Sequence, residues 1–396
     1  MLAHHLLFTA AAALRAPLPR ARVCALPRAR VFSSAASERP LSNLLEVCKI
    51  ACDAVTPLVH TIYKDGDRVD AVKADRSDFT LADGLVQSLL VRLLLSSGCG
   101  FVGEEEVDAS AVDAPPFVAG GITAPPAVAA EVVAARDRLD ELAARLEPRP
   151  EYARLVAFLD PIDGTREFVG GRGGECSVCV GFADGDTGEV RAGLVYRPLT
   201  TPPTYAYGAA SEGCAESALL PAPAGGGGGG LLVTRQGKSE FLAALAEELD
   251  VRWEPTGGAG NKFLRLLEDP DELYIQDRGL SRWDTCAAQG VLEAHGGAVV
   301  KLSAFERRGE LEPYTYRRGE RNADFEPGLA LLTRYNARDA AAVDGAATAT
   351  AVEQLKPHAN TCGLLALPAA ACAPPRLQAV REAVARAAAR EPPKYD

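Results

Sequence analysis

Asp160-Pro161-Ile162-Asp163-Gly164-Thr165 is the stretch on which the reading of this chain turns. It follows Leu155-Val156-Ala157-Phe158-Leu159, an apolar run that predicts a short buried strand over 155–159. Two carboxylates three residues apart therefore arrive at a strand end. Pro161 and Gly164 make the turn tight and aim both groups at one point. Carboxylates held that close repel each other unless a cation lies between them. An oxygen-only donor set selects a hard ion, Mg²⁺ first and Mn²⁺ second. Gly164 and Thr165 then offer main-chain amides to an anion. Taken alone, the motif also reads as an Asp-rich surface turn.

Three other acidic positions join it. Gly103-Glu104-Glu105 closes a second short apolar run at Phe101-Val102. Asp284, in Trp283-Asp284-Thr285-Cys286-Ala287-Ala288, stands where a helix should start, and by itself reads as an N-cap. Asp83 has capping-box spacing from Thr80, ahead of an amphipathic helix carrying Leu85, Leu89, Leu90, Leu93 and Leu94.

In this order, Asp83, Glu104-Glu105, Asp160 to Thr165 and Trp283-Asp284 resemble the signature of the inositol monophosphatase superfamily, the lithium-sensitive, magnesium-dependent phosphomonoesterases. The resemblance covers roughly residues 41–335. It implies an α+β fold, a layered α-β-α-β-α sandwich of the inositol monophosphatase/fructose-1,6-bisphosphatase type, with the site between two domains. It implies two or three Mg²⁺ ions. Glu104, Asp160 and the Ile162 carbonyl hold one, and Asp160, Asp163 and Asp284 a second. Asp83 lies near a third, weaker position. It further implies water as the nucleophile, oriented by Thr165 hydrogen-bonded to Asp83, and a phosphate held by the amides of Gly164 and Thr165.

Asp160 to Phe168, Gly257-Gly258-Ala259-Gly260-Asn261-Lys262 and Trp283 to Ala287 are most similar to the 3′(2′),5′-bisphosphate nucleotidases. Thr80-Leu81-Ala82-Asp83 and Trp283 to Ala288 also resemble inositol polyphosphate 1-phosphatase, which commonly has Ser where this chain has Gly164. A catalytically dead binder of metal or bisphosphate is a third reading, opposed by an intact set of acids. Lys262, after the glycine-rich turn, is a candidate for a non-scissile phosphate, and Gly260 for the close approach of a flat base. Arg235 and Arg278 are further candidates. Some relatives carry an Arg in the strand before Trp283-Asp284, where Gln276 stands here.

Composition limits the partners. Lys and Arg total 42 against 53 Asp and Glu, for a net charge of −11. That balance argues against binding nucleic acid or an anionic membrane through a broad basic patch, and does not rule out a small anionic substrate, which the resemblance implies is a bisphosphate. There is no apolar run long enough for a transmembrane helix. Oligomeric state is not legible. Residues 1–40 differ from the rest, with Arg15, Arg20, Arg22, Arg28, Arg30 and Arg39 against one acid, Glu38. An Arg-rich, acid-poor, Ala/Ser-rich leader reads as an organellar transit peptide. Arg30-Val31-Phe32-Ser33-Ser34 resembles a mitochondrial processing site, and a plastid leader has similar composition. A secretory signal using Leu6–Leu14 lacks a basic flank.

Beyond the leader, residues 41–224 are expected to form an α+β domain with an antiparallel sheet and most metal ligands. Residues 225–230 are expected to be a glycine linker and 231–396 an α/β domain. Apolar spacing over 41–64 predicts a helix that Pro57 kinks or interrupts. Strands are expected at 176–182, 189–196 and 204–209. Residues 107–127 read as a loop, and about 128–146 as a helix without obvious chemistry. Cys176 and Cys179 fall on opposite faces of a strand and read as structural thiols rather than a redox pair.

Overall fold

The computed structural model describes residues 39–64, 71–72, 78–105, 109–220, 229–235, 239–277, 280–317, 359–360 and 362–393. Most of the leader, Gly225–Gly228 and Arg278 lie outside them. Helix α1 (Pro40–Lys64) leads to the hairpin β1 (Ala71–Val72) and β2 (Asp78–Phe79), then to α2 (Leu81–Ser96) and β3 (Gly100–Gly103). A second hairpin, β4 (Val118–Ala119) and β5 (Ile122–Thr123), precedes α3 (Pro126–Ala143), the single turn α4 (Pro150–Ala153) and β6 (Leu155–Asp163). Next come α5 (Thr165–Val169), β7 (Ser177–Asp184), β8 (Val190–Arg197), β9 (Thr204–Ala209) and β10 (Cys214–Ala218). The rest is β11 (Gly230–Val233), α6 (Glu240–Leu249), β12 (Arg252–Pro255), α7 (Ala259–Glu268), β13 (Leu273–Gln276), β14 (Leu280–Ser281) and α8 (Arg282–Ala294). It ends with β15 (Ala298–Lys301), α9 (Leu302–Arg308), β16 (Ala359–Asn360), β17 (Leu364–Leu367) and α10 (Pro374–Arg390).

Two sheets organise the chain. The first runs β10-β9-β8-β7-β6-β3, antiparallel throughout except where β3 lies parallel to β6. The second runs β12-β11-β13-β17-β15, with β11 parallel to both neighbours and β17 antiparallel to both of its own. Alternation along the strands divides the apolar side chains. Leu159, Val180 and Leu194 pack with Leu45 and Val55 of α1 and Leu85 and Leu89 of α2. Phe158, Cys179 and Val195 face the other way, onto Phe263 of α7 and Val291 of α8. Those two helices also meet Tyr274 and Ala366 of the second sheet, whose far side is covered by α6, α9 and α10. The result is the layered α-β-α-β-α sandwich expected from the sequence.

The middle layer is seated unusually close. Gly181, Gly193 and Gly208 face one another across β7, β8 and β9. A Cβ on Gly193 would lie 1.9 Å from the Ala287 carbonyl oxygen, and one on Gly181 2.4 Å from the Ala287 nitrogen. Helix α8 therefore rests main chain on main chain in a groove that only glycine leaves open. Because α7 and α8 lie against both sheets, the chain from Arg39 onward is one compact unit.

Several expectations are corrected. Helix α1 continues through Pro57 without a break. Gly230, expected in the linker, opens β11. The segment read as a loop holds the β4–β5 hairpin, and the helix after it runs Pro126–Ala143. No described helix is long and apolar enough to cross a membrane.

Candidate active site

The end of β6 and the start of α8 bring the acids together. Ligand oxygens of Asp160, Asp163 and Asp284 lie within 4.8 Å of one another. Asp160 closes the regular pairing of β6 opposite Cys179, and the register shifts before Asp163 pairs with Ser177. That irregularity is the turn at Pro161, and it brings the second carboxylate back beside the first. The Ile162 amide donates to Asp160 Oδ1 at 3.1 Å. Asp284 is not the N-cap of α8. Ser281 is, and Asp284 is the third helical residue, accepting from the Ser281 amide at 2.9 Å.

Electrostatics states the need for a cation. Burial pushes the Asp160 carboxyl well above its ordinary range, and the charges of Glu104, Asp163, Asp284 and Asp83 push it further. Burial and then Glu104 and Asp163 raise Asp284 to about 8. Buried like charges at this spacing cannot all ionise without compensation. Glu104 stands outside the 4.8 Å triad, yet its charge acts on two members of it. Its amide donates to the Leu159 carbonyl at 3.1 Å, which fixes the strand end beside β6. An all-oxygen, strongly anionic donor set of this kind fits a hard divalent ion.

Asp163 has a second task that the sequence did not reveal. Its carboxylate accepts the amides of Ala259 at 2.8 Å and Gly260 at 2.7 Å, so it caps α7 from the opposite sheet. Ser177 Oγ donates to the same group at 2.8 Å. Burial raises the Asp163 pKa, and these hydrogen bonds with the Lys262 charge oppose the rise.

Asp83 and Thr165 meet as the resemblance implies. Thr165 Oγ1 lies 3.2 Å from Asp83 Oδ1 and 3.1 Å from the Ile162 carbonyl oxygen. The other oxygen of Asp83 accepts the Thr80 amide at 2.8 Å, completing the capping box. Gly164 sits at φ 86°, a left-handed turn that delivers Thr165 to the first turn of α5.

The expected substrate groups are placed differently. Lys262 is buried at 4% exposure, with Nζ donating to the Gly258 carbonyl at 3.0 Å and lying 5.1 Å from the Tyr274 ring centre. Burial lowers its pKa. Gly260 is also buried, and a Cβ there would lie 2.4 Å from Ser177 Oγ. Arg235 pairs with Glu175, which also accepts the Gly257 amide at 2.7 Å. Gln276 accepts from the Tyr274 hydroxyl at 2.9 Å. Two supporting residues were missed. Ser177 is one, the polar first residue of a strand that is then apolar as far as Asp184. Gln87 is the other, a buried amide on α2 whose Oε1 accepts the Glu105 amide at 3.0 Å. Cys176 and Cys179 are both free, with Cys176 Sγ on the Gly164 carbonyl and Cys179 beside Ser177.

Comparison with known proteins agrees with this fold. Rattus norvegicus 3′(2′),5′-bisphosphate nucleotidase 1 is 24% identical over 320 residues, covering 76% of this chain and 94% of that protein. The Homo sapiens protein of the same name is 30% identical over 164 residues, covering 37% of this chain and half of its own length. Among solved structures, the extragenic suppressor protein suhB of Bartonella henselae superposes with a TM-score of 0.51 at 12% identity, covering 86% of this chain and 98% of that one. The family model described as "Inositol monophosphatase family" matches residues 43–319, well over half of the sequence. The chain belongs to the inositol monophosphatase family and is a phosphoric monoester hydrolase.

Proposed function

We propose that this chain is a magnesium-dependent 3′(2′),5′-bisphosphate nucleotidase that removes the 3′-phosphate of 3′-phosphoadenosine 5′-phosphate. The observation that carries the reading is the triad of buried Asp160 and Asp163 with half-buried Asp284, whose mutual repulsion calls for a divalent cation. The choice of substrate rests on likeness to relatives named as bisphosphate nucleotidases.

Asp160, Asp163, Asp284, Glu104 and the Ile162 carbonyl would hold two Mg²⁺ ions, with a third nearer Asp83. When bound, the ions offset the charge of the phosphate and of the developing leaving oxygen. The residues supply the rest. Asp83 Oδ2 is engaged by Thr80, which leaves Oδ1 for Thr165. Thr165 Oγ1 then orients a water, takes its proton and passes its own to Asp83 Oδ1. The amides of Gly164 and Thr165 hold the scissile phosphate. The leaving ribose oxygen is protonated from solvent, and no covalent enzyme intermediate forms.

The test compares specificity constants for 3′-phosphoadenosine 5′-phosphate and inositol 1,4-bisphosphate with Mg²⁺, with and without submillimolar Li⁺. Preference for the nucleotide, and inhibition by Li⁺, is the expected result. Preference for the inositol compound would replace this reading with an inositol polyphosphate 1-phosphatase, and absence of turnover on both would leave a binding protein. We further propose that residues 1–40 direct the chain to a mitochondrion or plastid. Fusing them to a fluorescent protein tests this, and a diffuse cytosolic signal would refute it.

A further inference from the structure

Helix α2 starts without one side chain that usually fixes the entry of a capped helix. In a hydrophobic staple the residue before the N-cap packs on the fourth helical residue. Here Thr80 is the N-cap, so the pair is Phe79 and Gly84, and Gly84 has no side chain to offer. The ring of Phe79 is nevertheless in place, with its Cζ 3.1 Å from where a Gly84 Cβ would be. That same point lies 2.5 Å from the Cβ of Ala119. The Ala119 methyl, 2% exposed on the β4–β5 hairpin, occupies the volume that the missing side chain would fill. At the hairpin tip Gly120, at φ 57°, brings its main chain against the same ring, for an added Cβ would lie 2.3 Å from Phe79 Cε1. The segment carrying the hairpin is tied down at Asp113, whose carbonyl accepts from Arg136 at 2.9 Å and whose carboxylate accepts from Arg92 of α2.

We infer that Ala119 is a positioning residue: it supplies from the hairpin the staple partner that α2 lacks, and so holds the Thr80–Asp83 turn where Asp83 Oδ1 meets Thr165. The packing stands on its own, while its catalytic consequence rests on the function proposed above. Loosening the staple lets the chain entry swing and carries the Asp83 carboxylate away from Thr165 Oγ1. The hydroxyl then keeps only the Ile162 carbonyl as acceptor, which takes up no proton. The groups that bind the phosphate are untouched.

The experiment measures kcat, KM and amide hydrogen exchange over residues 80–84 in three forms of the full chain. These are wild type, Ala119→Gly, and the double variant Gly84→Ala with Ala119→Gly. The double variant moves one methyl from hairpin to helix, leaving it 3.1 Å from Phe79 Cζ and 3.6 Å from the Cα of residue 119, contacts that a small ring tilt relieves. Ala119→Gly is expected to lower kcat about tenfold at unchanged KM and to quicken exchange. The double variant is expected to restore both. Wild-type kcat and exchange in Ala119→Gly would overturn the inference, as would a double variant that restores neither. If the wild-type protein turns over no bisphosphate, the proposed function fails, and exchange alone then decides the staple.

Discussion

Asp163 and Gly260, 97 positions apart, are joined by a 2.7 Å hydrogen bond in which the helix amide donates to the carboxylate. The carboxylate of Asp163, a proposed metal ligand, thus closes the start of α7 with both its oxygens, so the acidic site and the middle helical layer depend on the same group.

Replacing Asp163 should therefore cost both activity and stability. Asn keeps one acceptor oxygen and points an NH₂ at amides that also donate. Asp163→Asn is expected to reduce turnover at least a hundredfold and to destabilise by about 1–3 kcal/mol. Ser177→Ala removes one of the three bonds and no ligand, so it should cost about 1 kcal/mol and less than tenfold in rate. Steady-state kinetics with thermal unfolding checks both. Equal rate losses in the two variants would contradict the assignment.

Asp284→Asn should behave in the opposite sense. It removes a charge that repels Asp160 and Asp163 and keeps an acceptor for the Ser281 amide. Without metal at pH 8 the variant should melt at or above the wild-type temperature. Its stabilisation by added Mg²⁺ should vanish, and turnover should fall at least a hundredfold. Melting curves with and without Mg²⁺ decide the matter.

The pH dependence has a definite sign. Asp160 and Asp284 titrate higher in the folded chain than in the unfolded one, so between pH 4 and about 8 the native state binds more protons. Stability of the metal-free protein should fall as pH rises through that window, by several degrees in Tm from pH 6 to 8.5. Mg²⁺ would bind the ionised groups, so its addition should flatten or reverse the trend. A metal-free Tm that climbs over this range would contradict the raised values.

Gly193→Ala tests the seat of α8. Its Cβ would meet the Ala287 carbonyl at 1.9 Å, and neither partner has a rotamer with which to give way. A loss of about 3 kcal/mol is expected by chemical denaturation. A change under 1 kcal/mol would show the layers to be more compliant than described.

The acidic half of the candidate site was legible because its carboxylates sit on local signals: Asp160 and Asp163 lie on one strand end, and Asp83 and Asp284 on first turns of helices. What was hidden depends on distant partners. Nothing near Ser177 or Asp163 in sequence announces that their acceptor-donor set is completed by amides at 259 and 260. Lys262 read as a candidate for a non-scissile phosphate, but with Ala259, Phe263 and Leu266 it falls on the buried stripe of α7. Strand β12, Arg252-Trp253-Glu254-Pro255, is a polar edge with a proline, and its pattern carries little strand signal. The β4–β5 hairpin has two residues per strand, too short for alternation to register.

The glycine row under α8 has a consequence for how this site can evolve. The sheet bears Asp160 and Asp163, the helix bears Asp284, and the gap between these layers is gauged by main-chain radii rather than by side chains. Apolar residues around the contact can drift in size and shape without changing that gauge. Three glycines thus act as a fixed calibration for carboxylate spacing, set at a place where none of them touches the reaction.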